Sequence, residues 1–307
     1  MPALTNQNII AVVWDFDKTL IPGYMQQPLF KHFDVDGDEF WREVAQLEKK
    51  YADNCEQVSG TLCYLNHVLS YVKDGRFAGL NNALLREMGK ELEFYPGLPD
   101  FFPQLKTLVA ENSAYAEYEI KLEHYIASTG FTQTIRGSSI SAHVDGIWGC
   151  EYIESEGSSP MVDQVAYMLD DTSKTRAIFE INKGVNRFPE QITVNATMQP
   201  EDRRIPFENI IYIADGPSDV PVFSVVKRNG GKTFGVYNPN EEKEFKQVKL
   251  LSRDGRINGM GEADYRPRSS TSMWLKDEVE QIADRIVIER EQQLGKSVGA
   301  TPKHINE

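Results

Sequence analysis

The chain has 307 residues, of which 40% are hydrophobic and 26% are charged, so it can bury a full core as one large domain or as a domain with an insertion. Its formal net charge of −13 argues against nucleic acid as a partner, because phosphate backbones are bound by clustered lysines and arginines. An anionic ligand would need a bound cation or a local basic group to overcome this unfavourable field.

The first predicted element is the apolar, β-branched run from Ile9 to Trp14, which is typical of a central parallel strand covered on both faces. The run is too short to span a bilayer, and two aspartates follow it where a signal peptide would need small residues. We therefore expect neither export nor a membrane anchor. The spacing of Cys55, Cys63 and Cys150 fits neither a zinc site nor a disulfide framework, which predicts reduced thiols in a cytoplasmic protein.

The segment 21–95 differs from the rest of the chain because its apolar residues recur only at helical spacing. A Pro-Gly pair near each end supplies the turns expected where a chain leaves a core and returns to it. We therefore predict an inserted α-helical cap domain at 21–95, and a discontinuous core formed by 1–20 and 96–293.

Further apolar segments downstream predict the remaining strands, which are Leu122 to Ala127, one strand within Ile140 to Val144, Ile210 to Ala214 and Thr233 to Val236. Strands that alternate with helices predict an α/β fold with a doubly wound, mainly parallel sheet, whose ligands bind at the carboxyl ends of the strands. The helical pattern from Trp274 to about Arg290 predicts a last helix packed on the sheet, and the tail 294–307 is expected to be disordered.

The strongest polar signal, Asp15-Phe16-Asp17-Lys18-Thr19-Leu20, directly follows the first strand. Two carboxylates two residues apart both face a site if the chain curls there, and their repulsion is costly unless a cation neutralises it. Oxygen ligands of this kind suit Mg²⁺. The same pattern also fits a turn or a helix cap.

A second segment, 125–131, is an apolar stretch that closes on Ser128, whose hydroxyl and neighbouring amides can hold phosphate oxygens or cap a helix. A third carries Lys174 at the start of a helical pattern, with Lys183 as a weaker alternative.

In the fourth segment, a predicted strand ends at Asp215, and the Gly-Pro pair after it returns Asp219 towards the same crevice. An ordinary Asp-Gly turn is the alternative there. A carboxylate pair, a hydroxyl, a lysine and a second carboxylate pair, in this order, together describe a metal-assisted phosphoryl-transfer site.

In order and spacing, these four segments resemble the four motifs of the haloacid dehalogenase (HAD) superfamily, from about residue 9 to 240. The stretches 128–131 and 144–149 are similar to the phosphoserine phosphatase branch of that superfamily. The resemblance implies a HAD-like, Rossmann-like core with a helical cap that closes over the substrate.

The resemblance further implies a magnesium-dependent phosphatase, in which Asp15 forms an aspartyl phosphate and Asp17 acts as the acid and base. Its catalytic residues would be Asp15, Asp17, Ser128 and Lys174. The substrate phosphate would be bound by Thr19, Ser128, Thr129, Gly130 and Lys174. Mg²⁺ would be held by Asp15, the backbone carbonyl of Asp17 and Asp215, with Asp219 supporting either the metal or Lys174.

Three alternatives carry the same fold or the same groups. A receiver domain that bears a phosphoaspartate is a signalling module, but it would be far shorter and would lack the insertion. A dehalogenase would not normally have an acidic residue at position 17, and a scaffold without turnover would not need every chemical position filled. The expected partner is a small phosphorylated metabolite such as a phosphorylated amino acid, amino alcohol, sugar or nucleotide. The motifs do not choose among these classes, because specificity would depend on cap residues that no motif marks.

Overall fold

The computed structural model describes residues 7–298, in which seven strands form one sheet in the order β4-β3-β2-β1-β5-β6-β7. The strands are β1 (Ile9–Trp14), β2 (Lys121–Phe131), β3 (Gly146–Glu154), β4 (Val162–Tyr167), β5 (Ile210–Ala214), β6 (Lys232–Tyr237) and β7 (Gly259–Glu262). Neighbouring strands are parallel except for β3 and β4, which are antiparallel. The predicted mainly parallel, doubly wound sheet is confirmed.

Helices precede, connect and follow these strands. They are α1 (Gln27–His32), α2 (Gly37–Ala52), α3 (Gly60–Lys73), α4 (Asn82–Gly89), α5 (Phe101–Ala110), α6 (Ser113–Glu117), α7 (Thr132–Gly137), α8 (Lys174–Lys183), α9 (Val220–Arg228), α10 (Glu242–Arg253) and α11 (Ser270–Val298). Within residues 7–298, none of them is both long enough and apolar enough to cross a membrane.

Strand β1 lies at the centre of the sheet, between β2 and β5, and every one of its residues is buried. Ile10, Val12 and Trp14 belong to the core on one face, whereas Ala11 and Val13 belong to the core on the other. Because both faces are covered, β1 needs apolar side chains at consecutive positions, which is the pattern that made it recognisable in the sequence.

The predicted strands at 9–14 and 210–214 have the observed limits, and those at 122–127 and 233–236 lie within β2 and β6. The prediction of a strand within Ile140 to Val144 was wrong. That region forms a 3₁₀ turn, Ser139–His143, in which Ile140 alone is fully buried while both Ser139 and Ala142 are exposed. Only Ile140 in this turn is buried in the core, so the apolar residues there do not form the buried face of a strand.

The segment 21–95 contains the helices α1 to α4 and no strand. Its buried side chains form one continuous apolar cluster with those on one face of the sheet. Helix α4 also touches α7 through glycines, since a Cβ atom on Gly89 would lie 2.0 Å from the Thr134 carbonyl oxygen and one on Gly137 would lie 1.8 Å from the Arg86 carbonyl oxygen. The separation of 21–95 as a domain of its own stays a prediction.

The last helix was predicted from Trp274 to about Arg290, and α11 extends beyond both limits. The predicted disordered tail began at residue 294, whereas α11 continues to Val298. The remainder of that tail, 299–307, lies outside the described residues.

Candidate active site

The strand register brings the predicted carboxylates to one edge of the sheet. Trp14, the last residue of β1, is level with Ile126 on β2 and with Ile213 on β5. The Asp15 backbone amide then donates to the Ile213 carbonyl at 2.9 Å, so Asp15 leaves the sheet just where Asp215 leaves β5. Strands β2 to β4 lie on one side of β1 and strands β5 to β7 on the other, so the strand order reverses here. Ligands of doubly wound folds bind at the carboxyl ends of the strands beside such a reversal.

Lys174, the first residue of α8, is the cation at this edge. Its Nζ donates to Asp15 Oδ1 and to Asp219 Oδ1, both at 2.7 Å, and the residue is 1% exposed. Burial lowers the pKa of Lys174, but the two carboxylates outweigh burial and raise it above its usual value, so the ammonium stays charged. Lys183, the weaker alternative, donates instead to two backbone carbonyls in the segment 194–196.

Asp219 is completely buried and accepts hydrogen bonds from three donors. Besides Lys174, they are the Tyr212 hydroxyl at 2.5 Å on Oδ1 and the Ser218 hydroxyl at 3.0 Å on Oδ2. These contacts use the lone pairs of Asp219 within the protein and fix its carboxylate against the ammonium of Lys174.

Three carboxylates crowd this edge. Oxygen atoms of Asp15, Asp215 and Asp219 all lie within 4.8 Å of one another, while the carboxylate of Asp17 is not part of this group. Burial raises the pKa of Asp215 well above its ordinary value, and the charges of Asp15 and Asp219 raise it further. One lysine does not balance three carboxylates, so a further cation would relieve the repulsion, and an all-oxygen donor set fits Mg²⁺.

The first carboxylate pair has raised pKa values for related reasons. Burial raises the pKa of Asp15 to about 6; Lys174 lowers it and Asp219 raises it. Burial raises the pKa of Asp17 to about 7, followed by the charge of Asp15, while the Met25 backbone amide, which donates to Asp17 Oδ1 at 2.9 Å, lowers it. The pKa of Asp17 is therefore shifted towards neutral pH, which is the direction that a general acid needs.

The predicted phosphate-binding residues do not all reach open space. Thr129 lines the cavity at this edge together with Lys174. Ser128 is 1% exposed, and its hydroxyl accepts a hydrogen bond from the Gly130 backbone amide at 3.0 Å. Gly130 packs against Met25, and Thr19 is completely buried, so neither of them lines the cavity.

The cavity has a volume of about 950 Å³, and the carboxylates Asp15, Asp17 and Asp215 form one wall. The rest of the lining includes side chains to which the sequence analysis assigned no role. They include Lys18, Tyr24, Trp41, Val44, Ala45, Glu48, Tyr64 and Glu244. Four of these residues recur at helical spacing on α2, which is indistinguishable from an ordinary core-facing stripe, and the other four lie in separate segments.

Lys18, between Asp17 and Thr19, adopts a left-handed backbone conformation with φ of 57°. This conformation is uncommon for a residue with a side chain, and it turns the chain after the second carboxylate. The Lys18 ammonium lies 3.4 Å from Glu244 and 5.0 Å from the centre of the Tyr24 ring. Lys18 is therefore already paired at the mouth of the cavity.

Solved structures with the same architecture identify the fold. A HAD family hydrolase from Salmonella enterica subsp. enterica serovar Typhi matches with a TM-score of 0.52 and 13% sequence identity, over 85% of this chain and 69% of that one. A probable phosphoserine phosphatase from Vibrio cholerae, in its unliganded form, matches with a TM-score of 0.50 and 16% identity, over 92% of this chain and 68% of that one. The chain has the fold of the HAD superfamily, in its phosphoserine phosphatase-like form, as its four motifs predict.

Among sequence relatives, an uncharacterized protein of Borreliella burgdorferi is 36% identical over 289 residues, which cover 89% of this chain and 97% of that protein. The chain belongs to the same family as this protein. No protein-family model matches the chain.

Proposed function

We propose that this chain is a magnesium-dependent phosphatase that hydrolyses a small phosphomonoester through an aspartyl phosphate. The observation that carries the proposal is the position of the Lys174 ammonium, which lies 2.7 Å from both Asp15 and Asp219 beside an open cavity. A nucleophilic carboxylate, a fixed cation and a neighbouring proton donor are the groups that phosphoryl transfer requires.

The donor set supports Mg²⁺ as the cofactor. The metal would be held by Asp15, Asp215 and the backbone carbonyl of Asp17, with Asp219 turned towards Lys174. When bound, it would neutralise charge on the transferring phosphoryl oxygens.

In the first step, an Asp15 carboxylate oxygen attacks phosphorus, and the bond between phosphorus and the alcohol oxygen breaks. Asp17 gives its proton to that oxygen, so the leaving group departs as a neutral alcohol. The pKa of Asp17, raised to about 7, makes the protonated form accessible at neutral pH. Lys174 stabilises the negative charge on the transferring group.

In the second step, water attacks the phosphorus of the aspartyl phosphate. Asp17, now ionised, accepts a proton from the water, and the bond between phosphorus and Asp15 breaks. Inorganic phosphate leaves, while Asp15 is again a carboxylate and Asp17 again holds its proton.

Phosphate release from para-nitrophenyl phosphate in the presence of Mg²⁺ tests the proposal. Asp15→Asn should reduce turnover by a factor on the order of a thousand or more, as expected for loss of a covalent nucleophile. Asp277→Asn, on the exposed side of α11, is the matched control and should keep wild-type turnover. A chain that becomes phosphorylated on Asp15 but releases no phosphate would contradict the proposal and favour a signalling module.

A further inference from the structure

Three aromatic side chains, Tyr24, Trp41 and Tyr64, line the same cavity as the carboxylates, and we call them the aromatic wall. The ring centres of Tyr24 and Trp41 are 6.2 Å apart, and those of Trp41 and Tyr64 are 5.4 Å apart. The Tyr64 hydroxyl donates to the Thr129 carbonyl oxygen at 3.3 Å, which ties the wall to the end of β2 beside Ser128. A phosphorylated ligand at Asp15 would therefore extend its alcohol part towards these rings.

Glu48 lies on the same face of α2 as Trp41, two helical turns further along, and it also lines the cavity. Among the described side chains, no lysine, arginine or histidine lies within salt-bridge distance of Glu48. The Glu48 carboxylate is close to Gly60 at the start of α3, since a Cβ atom on Gly60 would lie 2.8 Å from Glu48 Oε1. The Glu48 carboxylate thus lines the cavity beside the first turn of α3, together with these aromatic side chains and without a cationic side chain as its partner.

Three lysines are the cationic side chains in the lining of the cavity, and two of them are paired with carboxylates. Lys174 is held by Asp15 and Asp219, and Lys18 is paired with Glu244 at 3.4 Å. Lys243 lines the cavity too and is exposed. No arginine occurs among the residues described as lining the cavity.

This distribution of charge distinguishes between classes of substrate. A phosphorylated amino acid brings a carboxylate, for which the planar fork of an arginine is the usual partner, and the lining offers none. A neutral sugar or nucleoside would leave the Glu48 carboxylate without a countercharge. An ammonium group satisfies both features, because cations bind over aromatic faces and pair with carboxylates.

We propose that the substrate is the phosphomonoester of an alcohol that carries an ammonium group and no carboxylate, with the ammonium bound between the aromatic wall and Glu48. This inference rests on the proposed phosphatase function, which directs the phosphate to Asp15. The selectivity of the enzyme would then come from the helical segment 21–95, and the chemistry from the sheet edge.

The decisive comparison uses phosphocholine and 3,3-dimethylbutyl phosphate, which have the same shape but differ in one positive charge. We expect kcat/KM for phosphocholine to exceed that for the neutral analogue about tenfold or more, from cation–π contacts and the Glu48 charge together. O-phosphoserine and adenosine 5′-monophosphate should both be poorer substrates than phosphocholine. Equal values for the charged and neutral analogues, or a preference for either of the other two compounds, would overturn the inference.

Two variants test whether the aromatic wall and Glu48 produce the preference for phosphocholine. In Trp41→Leu and in Glu48→Gln, the ratio of kcat/KM between phosphocholine and 3,3-dimethylbutyl phosphate should fall severalfold towards one. Glu56→Gln removes the same charge from the exposed connection between α2 and α3, outside the cavity, and should keep the wild-type ratio. An unchanged ratio in both cavity variants would contradict the assignment.

A binding measurement separates the failure of this inference from failure of the phosphatase proposal. Titration calorimetry compares choline with 3,3-dimethylbutan-1-ol on the wild-type chain, and neither compound contains phosphate. Tighter binding of choline, weakened in Glu48→Gln, would support the ammonium site even if no phosphate is ever released. Conversely, hydrolysis of para-nitrophenyl phosphate without any preference for choline would leave the phosphatase proposal standing and remove this inference.

Discussion

The indole Nε1 of Trp14 donates a hydrogen bond to His124 Nδ1 at 3.2 Å, across the neighbouring strands β1 and β2. The other ring nitrogen of His124 lies 3.0 Å from the Phe102 carbonyl oxygen. A carbonyl oxygen only accepts hydrogen bonds, so the proton of the neutral ring is on Nε2. Both ring nitrogens are used, and a second proton on Nδ1 would destroy the contact with Trp14.

The contribution of His124 to stability should therefore fall in mild acid, whereas the raised pKa values of Asp15 and Asp17 act in the opposite direction. Burial lowers the pKa of His124 to about 3, whereas the unfolded chain has the ordinary value near 6.5. Below pH 6.5 the His124 side chain binds a proton in the unfolded state but not in the folded state. Its titration therefore lowers the free energy of unfolding by up to about 1.4 kcal/mol for each pH unit that the pH falls. Urea unfolding at pH 7.0 and 5.0 measures this loss.

The variant His124→Gln isolates that contribution, because glutamine does not titrate. We expect it to be less stable than the wild type at pH 7 but to lose less stability between pH 7.0 and 5.0. His32→Gln, at an exposed position on α1, should keep the wild-type pH dependence. If the His124→Gln and wild-type curves run parallel, the buried neutral histidine is not a source of acid sensitivity.

Magnesium should stabilise the fold as well as support activity. Asp15, Asp215 and Asp219 come within 4.8 Å of one another only in the folded state, so a cation that they bind stabilises that state. The melting temperature should therefore rise, and the rise should grow with Mg²⁺ concentration. A chelator should abolish phosphatase activity, and added Mg²⁺ should restore it. Full activity in metal-free buffer would refute the metal requirement.

Asp219 and Asp215 should differ in their dependence on the metal. Because Asp219 accepts hydrogen bonds from Lys174, Tyr212 and Ser218, we expect Asp219→Asn to lower kcat while the Mg²⁺ concentration for half-maximal activity changes little. Asp215→Asn should raise that concentration about tenfold or more, as loss of a ligand would. A large rise in the Asp219 variant would instead make Asp219 a metal ligand.

The contact between α4 and α7 should be intolerant of even one methyl group. In Gly89→Ala, the new Cβ atom would meet the Thr134 carbonyl oxygen at 2.0 Å, so the helices must move apart, at a cost of about 1–3 kcal/mol or more. Gly75→Ala provides the comparison, because Gly75 has a φ of 87° but nothing within 4 Å. Its cost should be about 1 kcal/mol, from backbone strain alone. Equal losses in denaturant unfolding would argue against the close helix contact.

The sheet and its carboxylates could be predicted because local sequence carries their signal. Ile9–Trp14 and Ile210–Ala214 are buried on both faces, which forces continuous apolar runs, and each run is followed directly by Asp15 or Asp215. Lys174 was preferred to Lys183 by motif order alone, and the structure brings Lys174 to Asp15.

Other parts had no such local signal. In strand β4 at the sheet edge only Val162 is buried, and β7 is a four-residue, glycine-containing strand, so neither forms an apolar run. Trp41 and Glu48 line the same cavity as the carboxylates only through the tertiary packing of α2. Such a relationship between distant segments is a property of tertiary structure, and spacing along the chain does not encode it.

The glycine contact between α4 and α7 restricts how selectivity can diverge in this family. Exchanging the whole helical insertion for one from another hydrolase would place new side chains against Gly137 and the Thr134 carbonyl, where there is no room for a Cβ atom. A chimaera made in that way would lose stability unless its new side chains also left room at this contact. Point substitutions along the cavity-facing side of α2 leave this contact untouched, so they offer the accessible route by which natural or laboratory evolution could change what the cavity binds.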